Sequence, residues 1–390
     1  MRLELRGNYN NSFTELKYKN FLDDLNSQLK FPADFRVSET PLFLSDEAVT
    51  ELELACESIV SQLRTDEYTE YCKKAIPNGI NVPNEDTHPV FLQIDFALCY
   101  DEEGNILPKL IELQGFPSLY GFQYYLSRTI KKHFPITKDL TNYFSNFDDD
   151  SYSKVFKDIL LGNSAPENVI LLEIEPDKQK TRIDFAATEE LTGVKAVCIS
   201  AIVKKGDKLF YKKDGILVPI ERIYNRVIYD ELLRKNFSAG FNFTDELDVT
   251  WVGHPNWFFK ISKYTLTFLK GKNIPNSFFL NELTEYPEDL NNYVLKPLFS
   301  FAGLGVEIDL TKERLDLITD RENYILQQKI EYAPLIKTPD DYSKVEIRMM
   351  YLWKDEPLLV NNLIRMSKGK MMGVDFNKNK TWVGSSCAFH

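Results

Sequence analysis

Two sets of residues far apart in the chain have side chains suited to phosphate chemistry. The first is Asp95, Glu112 and Gln114, within FLQIDFALCYDEEGNILPKLIELQG. The second is Lys296, which closes the apolar run YVL and precedes the small-residue loop FSFAGLG. In the first set a period-two pattern, interrupted by a polar turn, predicts a β-hairpin. Gln93, Asp95 and Ala97 share one face of the outgoing strand, and Glu112 and Gln114 share one face of the return strand. In one register Asp95 stands opposite Glu112 and Gln93 opposite Gln114, with Cβ atoms about 4.5–5.5 Å apart. A slip of one residue sends the two carboxylates to opposite faces. Facing carboxylates repel, so a cation belongs between them. Their oxygens, with an amide oxygen, are hard donors that suit Mg²⁺, which takes its remaining ligands from water and substrate phosphates. The alternative is an amphipathic hairpin whose polar face is solvated.

In the second set, Lys296 is held at a strand end, and Ser300, Gly303 and the backbone N–H groups around them are placed to fold over phosphate oxygens. Lys263, on the flank of a predicted helical stripe, offers a second ammonium group, or else snorkels at the surface. Gln327 and Gln328 close YILQQKI, where an adenine edge would meet the chain. Arg348 and Arg365 lie among apolar residues in EIRMMYLW and NNLIRM, so each needs a partner if buried. A guanidinium fork suits a carboxylate or a transferring phosphoryl group. The alternative for either is a structural ion pair, with Glu346 or Asp375. Together the two sets predict a site for ATP with Mg²⁺.

The elements that must hold these groups read as a mixed α+β chain. Of its 390 residues, 43% are hydrophobic and 27% charged, as in an ordinary globular protein with room for two or three cores. A net charge of −11 and a pI near 5.1 argue against nucleic acid or an anionic membrane as partner. No secretory signal or membrane-spanning run is visible, and the scattered cysteines and histidines lack zinc-ligand spacing, so a cytoplasmic protein without zinc or disulfides is expected. Val49, Leu52, Cys56, Ile59 and Leu63 predict a helix within 45–75, and another is predicted over 118–134. The acidic stretch 143–154 reads as a boundary. NVILLEI (168–174) reads as a strand buried on both faces, followed by a helix at 182–192 and a strand at 195–203. Asp214-Gly215 marks a tight hairpin, and VTWVG (249–253) a further strand. Pro255 then opens a helix with the stripe Trp257, Ile261, Tyr264 and Phe268. The C-terminal runs YVLKPL, YILQQKI, EIRMMYLW and PLLVNNLIRM are strand-like, with a helix at 311–318.

In their order, QIDF, KLIELQGFPS, ISKYTL, KPLFSFAG and NLIRMSKGK resemble the ATP-grasp half of the glutathionylspermidine synthase family, whose pieces read RxDF, (K)xxEyNxDTP, NKA, KPLFSREG and GIRE. The resemblance covers roughly residues 88–390. It implies an ATP-grasp fold in circularly permuted order with a Rossmann-like pre-ATP-grasp lobe. The regions would be 1–87, helical; 88–160, carrying the metal-ligand hairpin; 161–250, the Rossmann-like lobe; and 251–390, the nucleotide-binding lobes. It further implies Asp95, Glu112 and Gln114 as Mg²⁺ ligands, and Lys263 and Lys296 as nucleotide-phosphate lysines. Gln328 would lie near adenine, and Arg365 at the reacting phosphoryl group. The implied activity is an ATP-dependent carboxylate–amine ligase acting on small-molecule or peptide substrates. A phosphotransferase, or a nucleotide-binding protein without catalysis, would use the same residues. Three departures stand out. Gln93 replaces the family's arginine, Gln114 its asparagine, and SSCAFH its arginine-containing ending. The amidase domain of the bifunctional members has no counterpart.

Overall fold

The computed structural model describes residues 1–234, 237–300, 303–369, 372, 377 and 379–390. Its largest sheet has six strands. Five run in the order Gly384–Ser386, Pro357–Ser367, Tyr342–Trp353, Phe91–Tyr100 and Ile106–Gln114, and the short strand Ile336–Lys337 pairs with 342–353. All its pairings are antiparallel. The predicted hairpin therefore forms one side of the sheet and is joined to the two long C-terminal strands.

Alternation along strand 91–100 divides its side chains between two cores. Leu92, Ile94, Phe96 and Leu98 pack with Leu52, Cys56 and Ile59 of helix Asp46–Leu63. Phe91 points the other way, into a cluster with Tyr120, Tyr224 and Leu352. Gln93 and Asp95 share that second face and are buried as well. The polar face of the hairpin is thus enclosed by protein, and a solvated amphipathic hairpin is ruled out.

A second sheet holds four parallel strands in the order Thr250–Val252, Arg222–Asn225, Val169–Glu173, Lys195–Cys198. Every residue of 169–173 is buried, as a continuous apolar run between covered faces requires. Helix Arg182–Thr192 follows it, within the predicted bounds. A third sheet, Ser277–Phe279, Tyr324–Gln328 and Tyr293–Pro297, has 324–328 at its centre and carries Lys296 on an outer strand. In the hairpin of 208–220, Asp214 and Gly215 both have positive φ (51° and 81°), the turn geometry that Asp-Gly favours. The helical N-terminal region is joined to the other end of the chain, because Leu42–Phe43 pairs in parallel with Ala388–Phe389.

Four expectations change. The strand predicted over 195–203 ends at Cys198, where the 3₁₀ turn Ile199–Ala201 separates it from a new strand, Val203–Lys205. The helix of 45–75 breaks where Thr65 caps a second helix, Asp66–Cys72. The acidic stretch 143–154 enters helix Asp149–Leu161, whose start is fixed by a reciprocal Asp148–Ser151 capping box. The stripe from Trp257 to Phe268 is not one helix. It splits into Trp257–Lys260 and the 3₁₀ turn Lys263–Thr267, because Ile261 is extended and Ser262 caps the second piece. Among the described residues no helix is long and apolar enough to cross a membrane.

Gly115 couples the hairpin to the segment that bears Lys263. Its N–H donates to the Ile261 carbonyl at 3.0 Å, and a Cβ there would lie 2.5 Å from the Trp257 carbonyl oxygen. Backbone cannot retreat as a side chain can. Gly115→Ala is expected to cost about 1–3 kcal/mol of stability, read as a lower denaturation midpoint.

Candidate functional site

In the hairpin, Gln93 pairs with Gln114 and Asp95 with Glu112, and then the register shifts so that Phe96 pairs with Leu110. Ile111 is the extra residue of a β-bulge. Both registers open to the sequence therefore occur, one on each side of the bulge, and the carboxylates fall where they face each other. The bulge also frees the Ile111 carbonyl, which accepts from Lys296 Nζ at 3.0 Å.

Lys263 completes the junction. Its Nζ donates to the Ser300 carbonyl at 2.6 Å and lies 3.5 Å from Glu112 Oε2. Glu112 Oε1 accepts from Gln114 Nε2 at 2.9 Å. Lys263 and Lys296 are both buried, so neither is a solvated surface lysine. Three separate segments therefore meet here: the hairpin, the turn at 263–267, and the strand and loop at 293–300.

On the same face of the large sheet, Arg348 Nε and Nη2 each donate to a different oxygen of Asp95 at 2.6 Å. Arg365 Nη2 donates to Asp95 Oδ2 at 2.9 Å and lies 2.8 Å from Glu346 Oε2. The Tyr332 hydroxyl donates to the other Glu346 oxygen at 2.6 Å. Asp95 is 1% exposed and the Arg348 side chain 8%, whereas Arg365 keeps 35% of its side chain accessible. Arg348 does form a structural ion pair, but with Asp95; Glu346 pairs with Arg365, and Asp375 lies outside the described residues.

The electrostatics follow from this crowding. Burial would raise the Glu112 carboxyl, but Lys263, then Arg365, Lys296 and Arg348, together bring it down to about 2. Lys296 is lowered to about 8, first by burial, with Lys263 adding to the effect and Glu112 opposing it. Glu346 is raised, chiefly by burial. Arg365 is raised despite burial by Glu346, Asp95 and Glu112.

The remaining predicted residues are placed differently. Gln328 is exposed, and its backbone N–H donates to the Asn276 carbonyl. Gln327, on the opposite side of the strand, is buried; its Nε2 donates to the Leu110 carbonyl at 3.3 Å while its Oε1 has no partner. Cross-strand pairing puts Gln327 opposite Val294 and Ile325 opposite Lys296, so Gln327 and Lys296 share a face. Gly303 has a φ of 74° and open space where a Cβ would stand. Phe301 and Ala302, in the same loop, lie outside the described residues. Sequence reasoning missed Tyr332 and the Ile111 carbonyl. Only the i,i+2 spacing of Glu346 and Arg348, which puts both on one strand face, hinted at the network.

The fit of Mg²⁺ can be tested on these contacts. Glu112 and Gln114 have suitable oxygens at the edge of the junction. Asp95 does not fit, because both its oxygens are held by guanidinium groups and almost no surface remains. Among the described residues no group of three His, Cys, Asp or Glu side chains is arranged to hold a metal. The cavity at the junction, lined by Glu112, Gln114, Phe116, Lys263, Phe299 and Ser300, measures about 50 Å³. That admits a few waters and no nucleotide.

No family model and no curated protein sequence matches the chain. Among solved structures, it is similar to a glutathione synthetase-like effector from Globodera pallida in its apo form. The TM-score is 0.56 at 12% identity, over 90% of this chain and 93% of that one. The fold is glutathione synthetase-like. Such a likeness, at this identity, concerns the path of the backbone and not the chemistry.

The depressed carboxyl of Glu112 makes a pH prediction. Its stabilising share is complete above its ordinary value of 4.5 and is lost as pH falls through about 2. The stability difference between wild type and Glu112→Gln, from urea denaturation, is expected to shrink steadily as pH falls below 4.5, and to level off just above it, short of the range in which Lys296 titrates.

Proposed function

We propose that the chain is an ATP-dependent carboxylate–amine ligase on an ATP-grasp fold of circularly permuted order. The observation that carries this reading is the meeting of Glu112, Lys263 and Lys296 from three separate segments, beside Arg365, within a synthetase-like fold. A carboxylate is a poor electrophile and must be activated before an amine can displace one of its oxygens. ATP is the co-substrate. A substrate carboxylate oxygen attacks the γ-phosphorus, the bond to the β-phosphate oxygen breaks, and ADP leaves. The amine then attacks the acylphosphate carbon, loses a proton, and expels inorganic phosphate, leaving an amide.

Each residue has a physical task in that sequence. Lys263 and Lys296 neutralise phosphate oxygens, and Arg365, the accessible arginine, faces the transferring group. Lys263 already holds the Ser300 carbonyl, so the loop through Gly303 is tethered to the same ammonium that would meet phosphate. Closure of that loop would shield the acylphosphate from water. Adenine would lie beside Gln328 at the end of strand 324–328, while the buried Gln327 amide on the opposite side holds the Leu110 carbonyl. Glu112 and Gln114 would hold Mg²⁺, which would offset the charge of the phosphate oxygens. The substrates would be small molecules or peptides carrying a carboxylate and an amine, in the ATP-rich cytoplasm.

A second reading, nucleotide binding without turnover, is favoured by one observation: the complete engagement of Asp95 by arginines. A phosphate-release screen with ATP, amino acids, short peptides and polyamines separates the two. Ligase activity predicts phosphate release that needs both a carboxylate and an amine, reduced about 100-fold or more in Lys296→Ala and Arg365→Ala. ATP binding with no substrate-dependent release would instead support the binding protein.

A further inference from the structure

We infer that Asp95 is a positioning residue, the shared counter-ion of Arg348 and Arg365, and that the junction binds an anion directly through Arg365 and the two lysines, with no divalent cation on Asp95. Three observations support this. Arg348 takes both Asp95 oxygens in a two-point fork, and Arg365 adds a third contact to one of them. Asp95 lies in the interior of the sheet, where a dication beside two guanidinium groups would be strongly repelled at low dielectric. The charges at the junction are also unequal. Among the described residues, Lys263, Lys296, Arg348 and Arg365 face three carboxylates, Asp95, Glu112 and Glu346, a balance that favours a negative group as the one that completes the cluster.

In the chain of contacts from Arg348 through Asp95 to Arg365, and on to Glu346 and Tyr332, Arg365 is the one partly accessible cation. Arg365 is held by carboxylates on two sides and keeps 35% of its side chain exposed. A phosphoryl or carboxylate group is the ligand chemistry that this fork accepts. Gln93, where the resembled family has arginine, makes no charged contact here; its Nε2 donates to the Ser118 carbonyl. Arg348, two strands from the hairpin edge, supplies positive charge on that face instead.

The test combines stability with metal counting, using the full chain. Asp95→Asn and Arg348→Gln are each expected to lower the thermal midpoint by roughly 5–10 °C, because each strands a buried charge. The double variant is expected to recover at least half of the larger loss, as removal of both partners should. A Mn²⁺ titration of ligand-free wild type, followed by electron paramagnetic resonance, is expected to show no tight site. One tight Mn²⁺ per chain that persists in Glu112→Gln, where the Glu112–Gln114 pair is gone, would overturn the inference even if neither variant folds. So would a double variant no more stable than the worse single one. Failure of ATP to bind or turn over would remove the ligase reading and leave both of these readouts unaffected.

Discussion

Asp95 holds a full negative charge in the interior of a sheet that water hardly reaches, and the rest of the junction is arranged around that fact. A buried carboxylate is tolerable only when paired and hydrogen-bonded. Arg348 meets both oxygens from the adjacent strand, and Arg365 reaches one of them from the strand beyond. The three residues tie neighbouring strands of the large sheet together by charge as well as by backbone ladders. They also grip Arg365 without covering it, since Asp95 and Glu346 both pair with it while its side chain stays partly exposed.

The bulge at Ile111 is the second constraint. A regular hairpin would pair every carbonyl of strand 106–114 along its ladders or leave it in line at the edge. The extra residue turns one carbonyl toward Lys296 and brings the three-stranded sheet against the hairpin. Lys263 bridges the same gap from the other side, between Glu112 and Ser300. The junction is thus held together by the same groups to which the proposed function gives phosphate oxygens as ligands.

Much of the secondary structure was legible from pattern alone. The continuous apolar run before Pro176, the Asp-Gly turn at 214–215 and the alternation around Asp95 each specify one local geometry, because burial and turn chemistry leave few options there. One misreading has an equally local cause. The stripe through Trp257, Ile261, Tyr264 and Phe268 fits a helix, but Ser262 offers a capping oxygen that ends one piece and starts another. Gln327 and Gln328 are adjacent and chemically identical. Which one points inward depends on the pairing of strand 324–328 with its neighbours, which no single-strand pattern contains.

By itself the sequence determined the residue types: hard oxygens on one face of a hairpin, a lysine at a strand end, and arginines within apolar strands. Those choices follow from short-range periodicity and are independent of what the rest of the chain does. Tertiary structure alone decided their partners. Whether Asp95 faces a metal or an arginine depends on which strand lies beside it, and that neighbour, 342–353, comes from the far end of the chain. Charges interact through space and burial, and both are properties of the assembled sheet.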